Sequence, residues 1–186
     1  MSPSASHVDT TSAMAEDVRA VFAYGTLRGD FSEKGDFWGV IAKTGAAWVP
    51  ASVPGFKLYQ EDCATYPFAL QTESSEDVLH GTLLMWSQTL ARRAIQRCDQ
   101  IEGFDPESPH DGLYRRAMVD VPVSVDGLMK MVKEKDLLKD ILGKSSDPSK
   151  DGDSASVTVR AFVYHQPMDG REKEVKHFPG GDWLSK

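Results

Sequence analysis

A carboxylate sits where helices seldom carry one. In Cys98-Asp99-Gln100-Ile101-Glu102-Gly103-Phe104, an apolar stripe of Leu90, Ala94, Ile95, Cys98 and Ile101 has helical spacing, with Arg92, Arg93, Gln96, Arg97 and Gln100 on the other side. Ser87 is placed as the N-cap, and Gly103 is placed to end the helix in a left-handed conformation. Glu102 therefore falls at the helix's C-terminal edge. There the negative end of the helix dipole disfavours a carboxylate and raises its pKa. Burial beside Ile101 and Phe104 pushes the same way. An acid in that place is a local misfit, and such misfits gather at functional sites.

Two more segments carry chemistry. Val21-Phe22-Ala23-Tyr24-Gly25-Thr26-Leu27-Arg28 reads as a buried strand that stops at a glycine. Such a turn leaves successive backbone N–H groups pointing outward, as an anion-binding concavity requires. Gly25, lacking a Cβ, admits a ligand close to the main chain. Taken alone, a strand ending in Gly-Thr is also an ordinary turn. Leu113-Tyr114-Arg115-Arg116 opens a later strand and offers Tyr114 to a pocket shared with Glu102.

The elements that must position these residues follow from periodicity. Apolar Ala20–Tyr24 is expected to be a strand buried on both faces. Further strands are read at 48–53, 55–59, 68–72, 78–86, 113–123 and 156–165, the last with Val157, Val159, Ala161 and Val163 alternating against Thr158, Arg160, Phe162 and Tyr164. Residues 124–156 form an insertion. Its Leu128, Met131, Val132, Leu138, Ile141 and Leu142 suggest one amphipathic helix, and Lys144–Ser154 a flexible polar loop; deletion of Val125–Ala155 is expected to leave a folded domain. Pro179-Gly180-Gly181-Asp182-Trp183 reads as a turn tucking Trp183 against the body. One helix among many strands favours an α+β fold, a small β-barrel or strongly curved sheet with helices packed outside. Residues 1–18 are read as a disordered tail and 19–186 as a single domain.

Composition limits the function. A net charge of −7 over 186 residues argues against a nucleic-acid partner, which needs clustered Lys and Arg. No apolar run approaches the roughly 20 residues of a membrane span. Met1–Ala15 lacks the basic start of a secretory signal and the arginines of a transit peptide. Cys63 and Cys98, with no metal or redox spacing, read as two buried reduced thiols. Together with the lack of any Asn for glycosylation, they point to the cytoplasm. The five histidines share no metal-ligand spacing, and no Gly-x-Ser-x-Gly, Walker or dinucleotide motif occurs.

Six short motifs stand in one order: Tyr24-Gly25-Thr26-Leu27, Gly55-Phe56-Lys57-Leu58-Tyr59, Tyr66-Pro67-Phe68-Ala69-Leu70, His80-Gly81-Thr82-Leu83, Asp99 with Glu102-Gly103, and Tyr114-Arg115-Arg116. From Ala20 to Pro167, insertion aside, the chain resembles the gamma-glutamylcyclotransferase-like superfamily. The likeness is to its Tyr-Gly-Thr-Leu branch, which includes gamma-glutamylamine cyclotransferases and avirulence-induced-gene-like plant proteins. The resemblance implies a small mixed β-barrel with flanking α-helices and one pocket at its mouth. It implies a substrate held by the backbone amides of Tyr24, Gly25, Thr26 and Leu27, with Glu102 as general base. The reaction it implies releases 5-oxoproline and an amine from a gamma-glutamyl amide, without metal or organic cofactor. The insertion and the less basic Arg28-Gly29-Asp30 stretch depart from the family pattern and bear on substrate identity. A rival reading keeps the barrel but makes it a non-catalytic binder of a small ligand, or of a protein partner docked on the insertion's apolar face.

Overall fold

The computed structural model describes residues 18–31, 36–62, 64–144, 155–167 and 175–185. Its strands are β1 (Ala20–Ala23), β2 (Ala47–Pro54), β3 (Phe56–Glu61), β4 (Phe68–Gln71), β5 (Val78–Met85), β6 (Arg115–Ser124), β7 (Ser156–His165) and β8 (Val175–Phe178). Its helices are α1 (Asp36–Ala42), α2 (Gln88–Glu102), α3 (Val125–Met131) and α4 (Lys135–Lys144). Five strands form one sheet in the order β2-β5-β1-β7-β6, and three form a second, β4-β3-β8. The larger sheet curls until its edges β2 and β6 touch without pairing. The result is the expected mixed α+β fold, a half-closed barrel whose seam is filled by side chains.

β1 lies at the centre, antiparallel to β5 and parallel to β7, and all four of its residues are buried. Phe22 on its inner face joins a core with Leu83, Val163, Leu58 and Trp183. On the outer face Val21 and Ala23 meet Phe162, Tyr164 and α2. A strand covered on both sides cannot alternate in polarity, which explains its continuous apolar run. The same cover changes β7. It alternates from Ser156 to Arg160, but Ala161–Tyr164 are all buried, because α2 covers the second half.

Several expectations need correction. Ser87 takes the N-cap position of α2, but its side chain makes no capping bond; its Oγ lies 3.2 Å from Thr89 Oγ1 instead. Leu90 faces solvent at 41% exposure, and the buried stripe is Ala91, Ala94, Ile95, Cys98 and Asp99. Val18, placed in the tail, is buried in the outer core, while residues 1–17 lie outside the described residues. Helix α1 and strand β8 were not foreseen; α1 spans two turns and β8 four residues, too short to declare a period.

The insertion differs most from expectation. It leaves the sheet where β6 and β7 end in register, at Ser124 and Ser156. It forms two helices, α3 and α4, split after Met131. α3 packs against β2 and β6, across the seam, and Leu128, Val132 and Leu137 are buried in the inner core. Arg19 pairs with Asp140 of α4. The apolar face that was to be free for a partner is thus covered by the chain itself. The polar loop at 145–154 lies outside the described residues. Deleting the whole insertion would reopen the seam. As a milder test, Leu128→Ala should lower unfolding free energy by about 3 kcal/mol, read from a denaturant midpoint; a loss under about 1 kcal/mol would mean that α3 is a loosely attached cover.

Candidate active site

Sheet direction brings the chemistry together. Because β1 and β7 run parallel and β6 runs antiparallel to β7, the ends of β1 and β7 and the start of β6 share one edge of the sheet. Tyr24-Gly25 leaves β1 there, Tyr164 sits near the end of β7, and Tyr114 immediately precedes β6. The C-terminus of α2 reaches the same edge. Between them lies a pocket of about 310 Å³ whose lining includes Tyr24, Gly25, Thr26, Leu27, Glu102 and Tyr114. Every residue singled out in the sequence meets there.

The helix end is built as expected. Gly103 is left-handed at φ 66° and its N–H donates to Asp99 O; Phe104 N–H reaches the same carbonyl at 2.9 Å. This arrangement stops α2 at Glu102. Glu102 keeps partial exposure because it lines an open pocket. Burial nevertheless pushes its carboxyl up from 4.5 to about 7. The direction is the expected one, and the cause is desolvation.

The turn after β1 is closed by Arg28 N–H donating to Gly25 O at 3.0 Å. In such a turn the amides of the two central residues, Thr26 and Leu27, are not consumed by the closing bond. A Cβ on Gly25 would press on the Pro67 ring at 3.2 Å. The absent side chain lets the turn pack against Pro67, another residue of the pocket lining. Tyr24 lines the pocket, yet its hydroxyl donates to Tyr164 O at 2.8 Å and accepts from Ala69 N–H at 3.0 Å. It ties β1 to β7 and β4, leaving the main chain as the binding element. Tyr114 O–H lies 3.4 Å from Pro67 O; burial, followed by the charge of Glu102, pushes its pKa up, so it remains a proton donor.

Arg28 is spent on the scaffold. It is 5% exposed, pairs through Nε and a terminal nitrogen with both oxygens of Asp30 at 2.8 and 2.7 Å, and reaches Asp182 at 2.5 Å. Gly29 N–H adds a bond to Thr82 Oγ1 at 2.9 Å. These bonds brace the turn from behind and anchor it to the C-terminal segment.

Sequence reasoning missed the support beneath Glu102. Asp99, one turn earlier on α2, is 6% exposed. It accepts from Arg116 at 2.8 Å on each carboxylate oxygen and from Tyr164 O–H at 2.7 Å. The Arg116 guanidinium lies 4.6 Å from the Phe104 ring centre and 4.1 Å from that of Phe162. The signal was present in the arginine pair at the start of β6, whose second member is held between two aromatic rings. Cys98 is buried and free, and burial raises its pKa well above the ordinary thiol range, so it stays a thiol. Cys63 lies outside the described residues. Among the described residues no cluster of His, Cys, Asp or Glu is arranged to hold a metal, and no helix is long and apolar enough to cross a membrane.

A curled mixed sheet thus carries a backbone turn and a half-buried glutamate in one pocket. The family model described as gamma-glutamyl cyclotransferase, AIG2-like, matches residues 21–185; the chain belongs to this family. Among solved structures, a protein of Arabidopsis thaliana is 19% identical with a TM-score of 0.43, covering 80% of this chain and 68% of its own. An AIG2-like protein of Mus musculus is 15% identical with a TM-score of 0.46, covering 80% and 76%. A yeast gamma-glutamyl cyclotransferase specific to glutathione is 11% identical with a TM-score of 0.44, covering 89% and 74%. No curated protein gives a significant match.

Proposed function

We propose that the protein cyclises gamma-glutamyl amides, releasing 5-oxoproline and a free amine, with Glu102 moving the proton. Family membership supports a cyclotransferase activity. The observation that carries the finer reading is that Glu102, its carboxyl raised to about 7, and the Gly25–Leu27 turn line one pocket.

The substrate supplies its own nucleophile. Its α-ammonium gives a proton to the Glu102 carboxylate, and the freed amine attacks the γ-carbonyl carbon, closing a five-membered ring. The carbonyl electrons move to oxygen, where the Thr26 and Leu27 N–H groups stabilise the charge. Collapse breaks the bond to the amine, which receives the proton held by Glu102. The ring nitrogen gives its second proton to the carboxylate so freed, which passes it to the departing amine. The products are the neutral amide nitrogen of 5-oxoproline and an ammonium ion. A group ionising near neutrality suits these transfers better than an ordinary glutamate. Holding the flexible chain in its cyclising shape contributes roughly 7–11 kcal/mol when alignment is good. No step calls on a cofactor. The test is direct: purified protein incubated with gamma-glutamyl amines should release 5-oxoproline and amine in equal amounts. Glutamate in place of 5-oxoproline would make the reaction hydrolysis and overturn the proposal.

A further inference from the structure

Two of the protein's exposed large apolar side chains stand at the mouth of this pocket. Tyr66 is 44% exposed and Leu113 is 55% exposed, and both line the cavity that holds Glu102. Each directly precedes a buried wall residue, Pro67 and Tyr114, and the Tyr114 hydroxyl lies 3.4 Å from the Pro67 carbonyl oxygen. Tyr66 and Leu113 are therefore one step outward from the reacting centre. A glutamyl group seated on the turn would point its departing amine past them.

Resting on the cyclotransferase reading, we propose that this mouth selects gamma-glutamyl conjugates whose amine portion is apolar or aromatic and carries no carboxylate. Tyr66, Pro67 and Leu113 offer rings and a branched alkyl group, with Ile101 also on the wall. Among the described residues, the lining includes no Lys, Arg or His to pair with an anion. The field there favours the same choice, since the charges of Glu102 and Glu61 both act on Tyr114. An amine released from an amino acid or peptide would bring its carboxylate into this wall unpaired, which a site of this kind rejects.

Three conjugates separate the contributions. Gamma-glutamyl-ethylamine lacks the ring, gamma-glutamyl-phenethylamine adds it, and gamma-glutamyl-phenylalanine adds a carboxylate to the ring compound. The kcat/KM for 5-oxoproline release should favour phenethylamine over each of the others by at least about tenfold. Leu113→Ser, at a position too exposed to endanger folding, should reduce the ring-dependent ratio to under about threefold. Equal values for the three, or a preference for phenylalanine, overturn the inference. If no compound is cyclised, the proposed reaction fails, and calorimetric binding of the same three to Glu102→Gln protein judges the mouth separately. The same order of affinity sustains the mouth assignment; no order, or no binding, overturns it.

Discussion

Glu102→Gln should fold as the wild type does and lose 5-oxoproline release by a factor of about 10²–10⁴. The amide keeps the shape of the carboxyl but cannot take a proton from the substrate. In the wild type, kcat should rise with pH along a limb centred near 7, the value to which burial pushes Glu102. The substrate's α-ammonium titrates in series, so the apparent midpoints belong to the pair. A carboxylate titration of free enzyme by NMR isolates the protein's share. Stability carries an independent signature. The folded state holds the Glu102 proton more tightly than the unfolded chain, so this group's contribution is full below pH 4.5 and falls as pH rises towards about 7. Above that window the wild type should be less stable than Glu102→Gln by up to about 3 kcal/mol. Equal turnover by the two proteins would remove Glu102 from the mechanism, and parallel stability curves would remove the burial argument.

Asp99→Ala should cost about 3–4 kcal/mol of unfolding free energy, more than most single substitutions. The loss leaves Arg116 held between the rings of Phe104 and Phe162 without its carboxylate, and Tyr164 O–H without its acceptor. Arg116 and Asp99 side chains are 15% and 8% exposed, so water replaces little of what is removed. Because the penalty comes from an abandoned buried charge, Asp99→Leu combined with Arg116→Met should recover more than half of it. Denaturant midpoints of the wild type and the two variants decide. A single-variant cost below about 1 kcal/mol is the behaviour of a surface pair.

Both predictions depend on features that were legible to different degrees. Glu102 could be placed at the end of α2 from local signals, because a left-handed Gly103 and a 3.6-residue stripe act within a few residues of one another. The Gly25–Arg28 turn was readable for the same reason: an apolar run met a glycine. The motif order from Tyr24 to Arg116 then pointed to a family, a fold and a pocket.

Partners distant in the chain were not legible. The spacing puts Leu90 on the apolar side of α2, whereas the buried stripe takes in Asp99 and leaves Leu90 41% exposed. Arg116 and Tyr164 offset the cost of burying that carboxylate. One partner of Arg28 could not be read locally, because Asp182 lies 154 positions later. The insertion read as a dispensable cover with a free apolar face, whereas the gap between β2 and β6 makes that face part of the core. Periodicity reports how much of a residue is covered, and the chain's own local pattern carries no record of what covers it. Burial of Glu102, the brace behind the turn and the filling of the seam all depend on contacts that exist only once the sheet has curled.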